Sequence, residues 1–129
     1  MNGAKRSALR SLAGNWKKDG SMVEFEWPSY GGSIDVQNSN TDLEDLVESL
    51  SLDHGWLETV DGALWEKEMI LLRLTNAVAK KKGAKLLGSR VANELNAHVA
   101  QTVGHTVLLY RPGLPPVLDL DELVSRRSK

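Results

Sequence analysis

The sequence predicts an α/β protein. It is a two-layer domain in which a β-α-β-α-β-β unit carries helices packed on its sheet, preceded by an N-terminal helix and an inserted arm. Three observations predict this class. Residues 99–112 read VAQTVGHTVLLYRP, two runs rich in Val, Thr, Leu and Tyr separated by Gly104-His105. Gly at the first position of a two-residue connection suits a type II′ turn, so the segment reads as a β-hairpin. Residues 69–74 form a nearly unbroken apolar run of strand length, as expected of a strand buried on both faces. Trp56, Leu57, Val60, Ala63 and Leu64, and later Ala84, Leu87, Gly88, Val91, Ala92 and Leu95, recur at helical spacing. Helices alternating with strands bury their apolar stripes against a sheet.

The elements follow in order. Ala8, Leu9, Leu12 and Ala13 give a helix over residues 4–13, with Gly14-Asn15 as its stop. Residues 22–27 alternate, Val23 and Phe25 against Glu24 and Glu26, and read as a short strand or an extended arm ended by Pro28. Residues 28–41, rich in Gly, Ser and Asn, read as a loop. Residues 42–48 are acidic and ambiguous, and residues 46–52 fit a helix end or a strand equally. The first core helix starts at Asp53 and ends near Glu68, and the central strand follows. Lys80-Lys81-Lys82-Gly83 leads into the second core helix, and the hairpin comes next, with Val99, Gln101 and Val103 expected on one face of its first strand. Pro112, Pro115 and Pro116 interrupt regular structure, and residues 117–124 read as an extended tail or a short helix.

Composition bounds the function. With 129 residues the chain suffices for one domain, and its 41% hydrophobic and 26% charged residues are ordinary for a globular protein. No apolar run is long enough for a membrane helix, and no stretch reads as a secretory signal. Cysteine is absent, which excludes disulfides, thiolate metal sites and cysteine nucleophiles and is consistent with a reducing compartment. The net charge of −1 hides strong blocks. Residues 1–18 carry five basic and no acidic residues; residues 19–68 carry thirteen acidic residues against Lys67; residues 69–118 carry seven basic residues against Glu94. Such asymmetry points to two different partner surfaces.

The hairpin, with its Val-Ala-Gln-Thr-Val-Gly-x-Thr-Val-Leu-Leu-Tyr-Arg order, resembles the last hairpin of the CRM domain, the RNA-binding module shared by bacterial YhbY-type ribosome-associated proteins and plant organellar splicing factors. Lys5-Arg6-Ser7-Ala8-Leu9-Arg10-Ser11-Leu12-Ala13 is similar to the family's opening helix, and Trp65-Glu66-Lys67-Glu68 with the strand after it resembles the end of its core helix and its central strand. The resemblance divides the chain into residues 1–45, a basic helix plus an acidic, Trp-containing arm; residues 46–112, the CRM-like domain; and residues 113–129, a C-terminal tail. One departure matters. The family carries a Gly-x-x-Gly loop with a basic residue that clamps RNA phosphates; here the matching stretch is Leu52-Asp53-His54-Gly55. Gly55 survives, but Leu52 replaces the first Gly and Asp53 the basic residue. An aspartate facing phosphate is repulsive, so this clamp is expected to be weakened.

The remaining chemistry-bearing residues narrow the choice. His54, His98 and His105 have no metal-ligand spacing, residues 83–89 lack the Lys of a phosphate loop, and no nucleophile–base pair presents itself. No enzyme, metal, cofactor or small-molecule substrate is therefore expected. Lys80, Lys81, Lys82, Lys85 and Arg90 cluster at one helix, and Lys5, Arg6, Arg10, Lys17 and Lys18 at another. Surface lysines ordinarily serve solubility, but lysines at a helix start oppose the helix dipole and suit phosphate binding. The expected RNA-binding residues are Lys5, Arg6, Arg10, Lys80, Lys81, Lys82, Lys85, Arg90 and Gly55, and Trp16, Trp27 and Tyr30 of the arm are expected to contact proteins. The implied function is a non-catalytic component or assembly factor of a ribosomal large-subunit-like particle, with ribosomal RNA and ribosomal proteins as partners. The alternatives are an organellar group II intron splicing cofactor and a protein-interaction module whose RNA loop has decayed. The basic, acid-free residues 1–18 resemble an organellar targeting segment as well as the domain's own first helix. A mitochondrial location is expected, with plastid or bacterial cytoplasm as alternatives.

Overall fold

The computed structural model describes residues 3–28, 43–78 and 81–112. Its centre is the apolar strand β2 (Met69–Arg73), flanked in a four-stranded mixed sheet of order β1-β2-β4-β3 by β1 (Glu24–Glu26), β4 (Thr106–Tyr110) and β3 (His98–Val103). β1 runs parallel to β2, and the other neighbours are antiparallel. The helices are α1 (Gly3–Asp19), α2 (Leu43–Ser49), α3 (His54–Lys67) and α4 (Lys81–Glu94). The α/β class and the helix-on-sheet body are as the sequence predicts.

Strand periodicity splits the core in two. Ile70, Leu72, Val107 and Leu109 point to one face, where Val60 and Leu64 of α3 and Ala84, Leu87 and Val91 of α4 cover them. Met69, Leu71, Leu108 and Tyr110 point to the other, where Leu9 and Ala13 of α1 cover them. α4 approaches β4 so closely that a Cβ on Gly88 would stand 2.6 Å from Val107 Cγ2, so glycine is required there by packing. The hairpin turns at Gly104, whose φ of 58° is the left-handed value that a glycine at this position of a type II′ turn supplies.

Four expectations are corrected. First, residues 46–52 are not a strand. Residues 43–49 are helical, and the sheet's first strand is β1, with Glu24, Phe25 and Glu26 paired to Leu71, Leu72 and Arg73. The boundary at 45/46 therefore cuts through one sheet, and α1 and β1 belong to the same body as the rest. Second, α1 does not stop at Gly14 but continues to Asp19 and ends at Gly20, whose φ is 81°. A helical glycine costs about 0.5–1 kcal/mol. Burying even one large apolar side chain gives about 1.5–3 kcal/mol, and Leu9, Leu12, Ala13 and Trp16 all pack on the sheet. Third, Trp27 is not free in an arm. It is 1% exposed, its ring stands edge-on to Trp56 at 5.4 Å, and its N–H donates to Arg73 O at 2.9 Å. Trp56 Nε1 in turn donates to Glu26 O at 3.0 Å, tying α3 to β1. Fourth, Val99 does not share a face with Gln101 and Val103. A bulge between Val99 and Gln101 adds Ala100, so Val99 joins the α4 side and Ala100 the α1 side. The expected tail at residues 117–124 lies outside the described residues.

The two tryptophans at opposite extremes of burial give a check. Trp27→Ala should destabilise the fold by about 3–5 kcal/mol, and Trp65→Ala, at a position 63% exposed, by about 0.5 kcal/mol or less. Urea unfolding followed by circular dichroism measures both; equal effects would contradict the placement of β1.

Candidate nucleic-acid interface

β3 is an edge strand: β4 pairs with one side, and no strand among the described residues pairs with the other. α1 lies against one face of the sheet and α4 against the other, so their flanks meet across this edge. Arg6 from α1, Lys81, Lys82, Lys85 and Ser89 from α4, and Val99, Ala100, Gln101, Thr102 and Gly104 from the hairpin line an open groove of about 640 Å³. The described lining contributes four cations and no carboxylate. Helical geometry explains the α4 part: Lys82, Lys85 and Ser89 sit at i, i+3 and i+7, on the side away from the buried stripe of Ala84, Leu87 and Val91. Lys81 and Lys82 open the helix, so their charges add to the positive end of its dipole. Lys17, near the other end of α1, lines a small recess beside Gln101 and Val103 and extends the basic track toward the hairpin tip.

The floor of the groove is suited to a phosphate backbone. Gln101 and Thr102 are half-buried and, with Ser89, add hydrogen-bonding groups among the cations. The bulge at Ala100 bends the free edge, a device that discourages pairing with another strand.

The sequence-predicted residues divide. Arg6, Lys81, Lys82 and Lys85 are exposed and come together in the groove. Arg10 is exposed, and Lys5 is half-buried and engaged within the chain; neither lines the groove. Lys80 and Tyr30 lie outside the described residues. Arg90 is corrected to a structural role: its Nη1 donates to Val47 O at 2.8 Å and Leu50 O at 2.7 Å, holding the carbonyl end of α2 against α4. Trp16, expected to be a protein contact, is half-buried and packs on the α1 core, and Trp27 is in the main core. Sequence reasoning does not reach Ser89, Gln101 and Thr102; the i, i+3, i+7 stripe signals the first, but only strand order reveals β3 as an edge.

Gly55 is likewise not in the groove. It sits in the first turn of α3, the helix that packs on β2. Asp53 is the N-cap of that helix, its Oδ2 accepting from Trp56 N at 2.8 Å. This aspartate is explained by helix capping, with no reference to a phosphate, and the stretch 52–55 joins α2 to α3 instead of following a strand. Arg111 is also structural. Its Nη1 donates to Asp61 Oδ1 at 2.6 Å and to Leu95 O at 2.8 Å, and its guanidinium lies 5.8 Å from the centre of the Trp65 ring. His98 stacks on Tyr110 at 6.5 Å. Burial, with Glu68 nearby as a second cause, raises the Tyr110 phenol above its ordinary range. No group of three His, Asp or Glu among the described residues could hold a metal.

No protein-family model matches the chain, and no curated protein matches it in sequence.

Capping and bracing residues should separate from groove residues in stability. Asp53→Lys should cost about 0.5–2 kcal/mol through loss of the cap. Arg90→Ala should cost about 1–3 kcal/mol through loss of its two charge-assisted hydrogen bonds. Lys81→Ala, Lys82→Ala and Lys85→Ala should each stay within about 0.5 kcal/mol. Urea titration of the five variants measures the ordering, and a neutral Arg90→Ala would return that residue to the surface set.

Proposed function

We propose that the protein is a non-catalytic RNA-binding component or assembly factor of a ribosomal large-subunit-like particle, and that RNA backbone lies in the groove along β3. One observation carries the RNA reading: four cations from two helices distant in sequence line one groove beside a strand edge that no strand among the described residues pairs. Phosphate contacts supply most of the affinity in such binding, and they require cations that can meet a curved, regularly charged chain. The ribosomal part rests on the CRM resemblance. The order after α1 is strand, two helices, strand, helix and hairpin once β1 is taken as the first strand, so it follows that resemblance except for the additional helix α2. The proposed clamp differs from the family's: RNA is held at the β3 edge, and the 52–55 stretch is occupied with capping α3.

The mitochondrion is the proposed compartment. Residues 1–18 carry the basic, acid-free bias of organellar targeting segments, yet α1 covers Met69, Leu71 and Leu108. Removing it would expose one face of the sheet, which supports the reading of this segment as a retained part of the domain.

Two measurements test the proposal. The combined change of Arg6, Lys81, Lys82 and Lys85 to Ala should weaken binding of single-stranded RNA. It should also flatten the log–log salt dependence by up to about 2.8, at about 0.7 for each phosphate no longer neutralised; an unchanged slope would remove the groove from the interface. In gradients of mitochondrial lysate the protein should travel with the large ribosomal subunit and be partly released by high salt. Recovery only in light fractions bound to intron RNA would replace the ribosomal assignment with a splicing one.

A further inference from the structure

The outer face of α3 carries a second feature, independent of the RNA groove. Gly62 sits in the middle of this helix and is exposed, and a Cβ built on it would meet no atom within 4 Å. Nothing inside the described chain therefore requires glycine, although glycine in a helix interior lowers stability relative to alanine. Its helical neighbours at i±3 and i±4 are Glu58, Thr59, Trp65 and Glu66, all exposed. Trp65 is 63% exposed, the most exposed large apolar side chain described. The guanidinium of Arg111 stands at its ring, and Arg111 also binds Asp61, so the indole is held by a braced neighbour. Glu58 and Glu66 make no ion pair among the described residues. The result is a stretch of bare backbone at Gly62, with an exposed indole three residues on and an exposed carboxylate four residues to either side.

We propose that this bare stretch of α3 receives a lysine or arginine side chain from a basic helix of a neighbouring protein. The apolar stem lies on Gly62 against Trp65, and the charged head reaches Glu58 or Glu66. Long basic side chains bury their stems while keeping the head polar, and an absent side chain lets a partner helix approach closely. The partner's basic character follows from charge complementarity, because the two carboxylates would repel an acidic partner. α3 packs on β2, whereas the RNA groove follows β3, so the two surfaces are distinct.

The test uses the full chain and two synthetic helical peptides with the same Ala/Leu face, one with Lys and one with Glu on the other face. Binding is followed by fluorescence anisotropy of labelled peptide. The Lys peptide should bind and the Glu peptide should not. Gly62→Leu and Trp65→Ala should each weaken Lys-peptide binding at least tenfold and leave binding of single-stranded RNA unchanged. Gly62→Ala should raise the melting temperature while still weakening binding, a combination that a purely structural glycine cannot give. Lys-peptide binding that is absent, or unchanged by Gly62→Leu and Trp65→Ala, overturns the proposal, whatever the outcome for RNA.

Discussion

The apolar sequence of β2 must be covered on both faces, and the rest of the molecule is arranged by that requirement. Met69, Ile70, Leu71 and Leu72 are all buried, two toward each side of the sheet. α3 and α4 cover one side. The other would be wet if α1 did not lie on it, which is why α1 runs past Gly14 and why β1, directly after it, is drawn onto β2. Once α1 and α4 occupy opposite faces, their charged flanks are brought to the same uncovered edge. The basic groove is thus a by-product of closing the core: Arg6 belongs to the helix that buries Leu9 and Ala13, and Lys85 to the helix that buries Ala84 and Leu87.

Buried polar groups are used sparingly, and arginines do most of the joining. Arg90 ties α2 to α4, Arg111 ties α3 to the end of α4, and Arg73 pairs with Glu24 across β1 and β2. The Arg73–Glu24 pair is surface-exposed and contributes little. The first two satisfy backbone carbonyls at element ends, where loss of the donor strands an acceptor. Cations in this chain therefore divide by partner. Those that meet carbonyls or carboxylates within the chain build the fold, and Arg6, Lys81, Lys82 and Lys85 face the open groove instead.

That division explains what can be read from the sequence. The hairpin, β2, α3 and α4 are legible because each has a local signal: a glycine turn, a continuous apolar run, or an i, i+3, i+4 stripe. β1 is not, because three residues close to Pro28 look alike as a strand and as an arm; pairing with β2 decides. Trp27 is misplaced for the same reason, since nothing local shows that Trp56 waits for it. The bulge at Ala100 is invisible because Val-Ala-Gln-Thr-Val satisfies a regular alternation. Charge alone singles out Lys81, Lys82, Lys85 and Arg6, which line the groove, but Arg90 has the same charge and braces α2 instead. Only the position of α2, whose sequence is ambiguous between helix and strand, separates them. Asp53 shows the converse: it reads as a defect in a loop, and it is the cap that starts α3.

The proposed RNA path runs along the β3 edge between α1 and α4. Its most direct test is an amide chemical-shift map of the ¹⁵N-labelled full chain titrated with single-stranded RNA. The largest perturbations should fall on residues 81–89 and 99–104 and around Arg6, with Asp53, His54 and Gly55 unmoved. Perturbations confined to residues 52–56, or absent from β3, would contradict it.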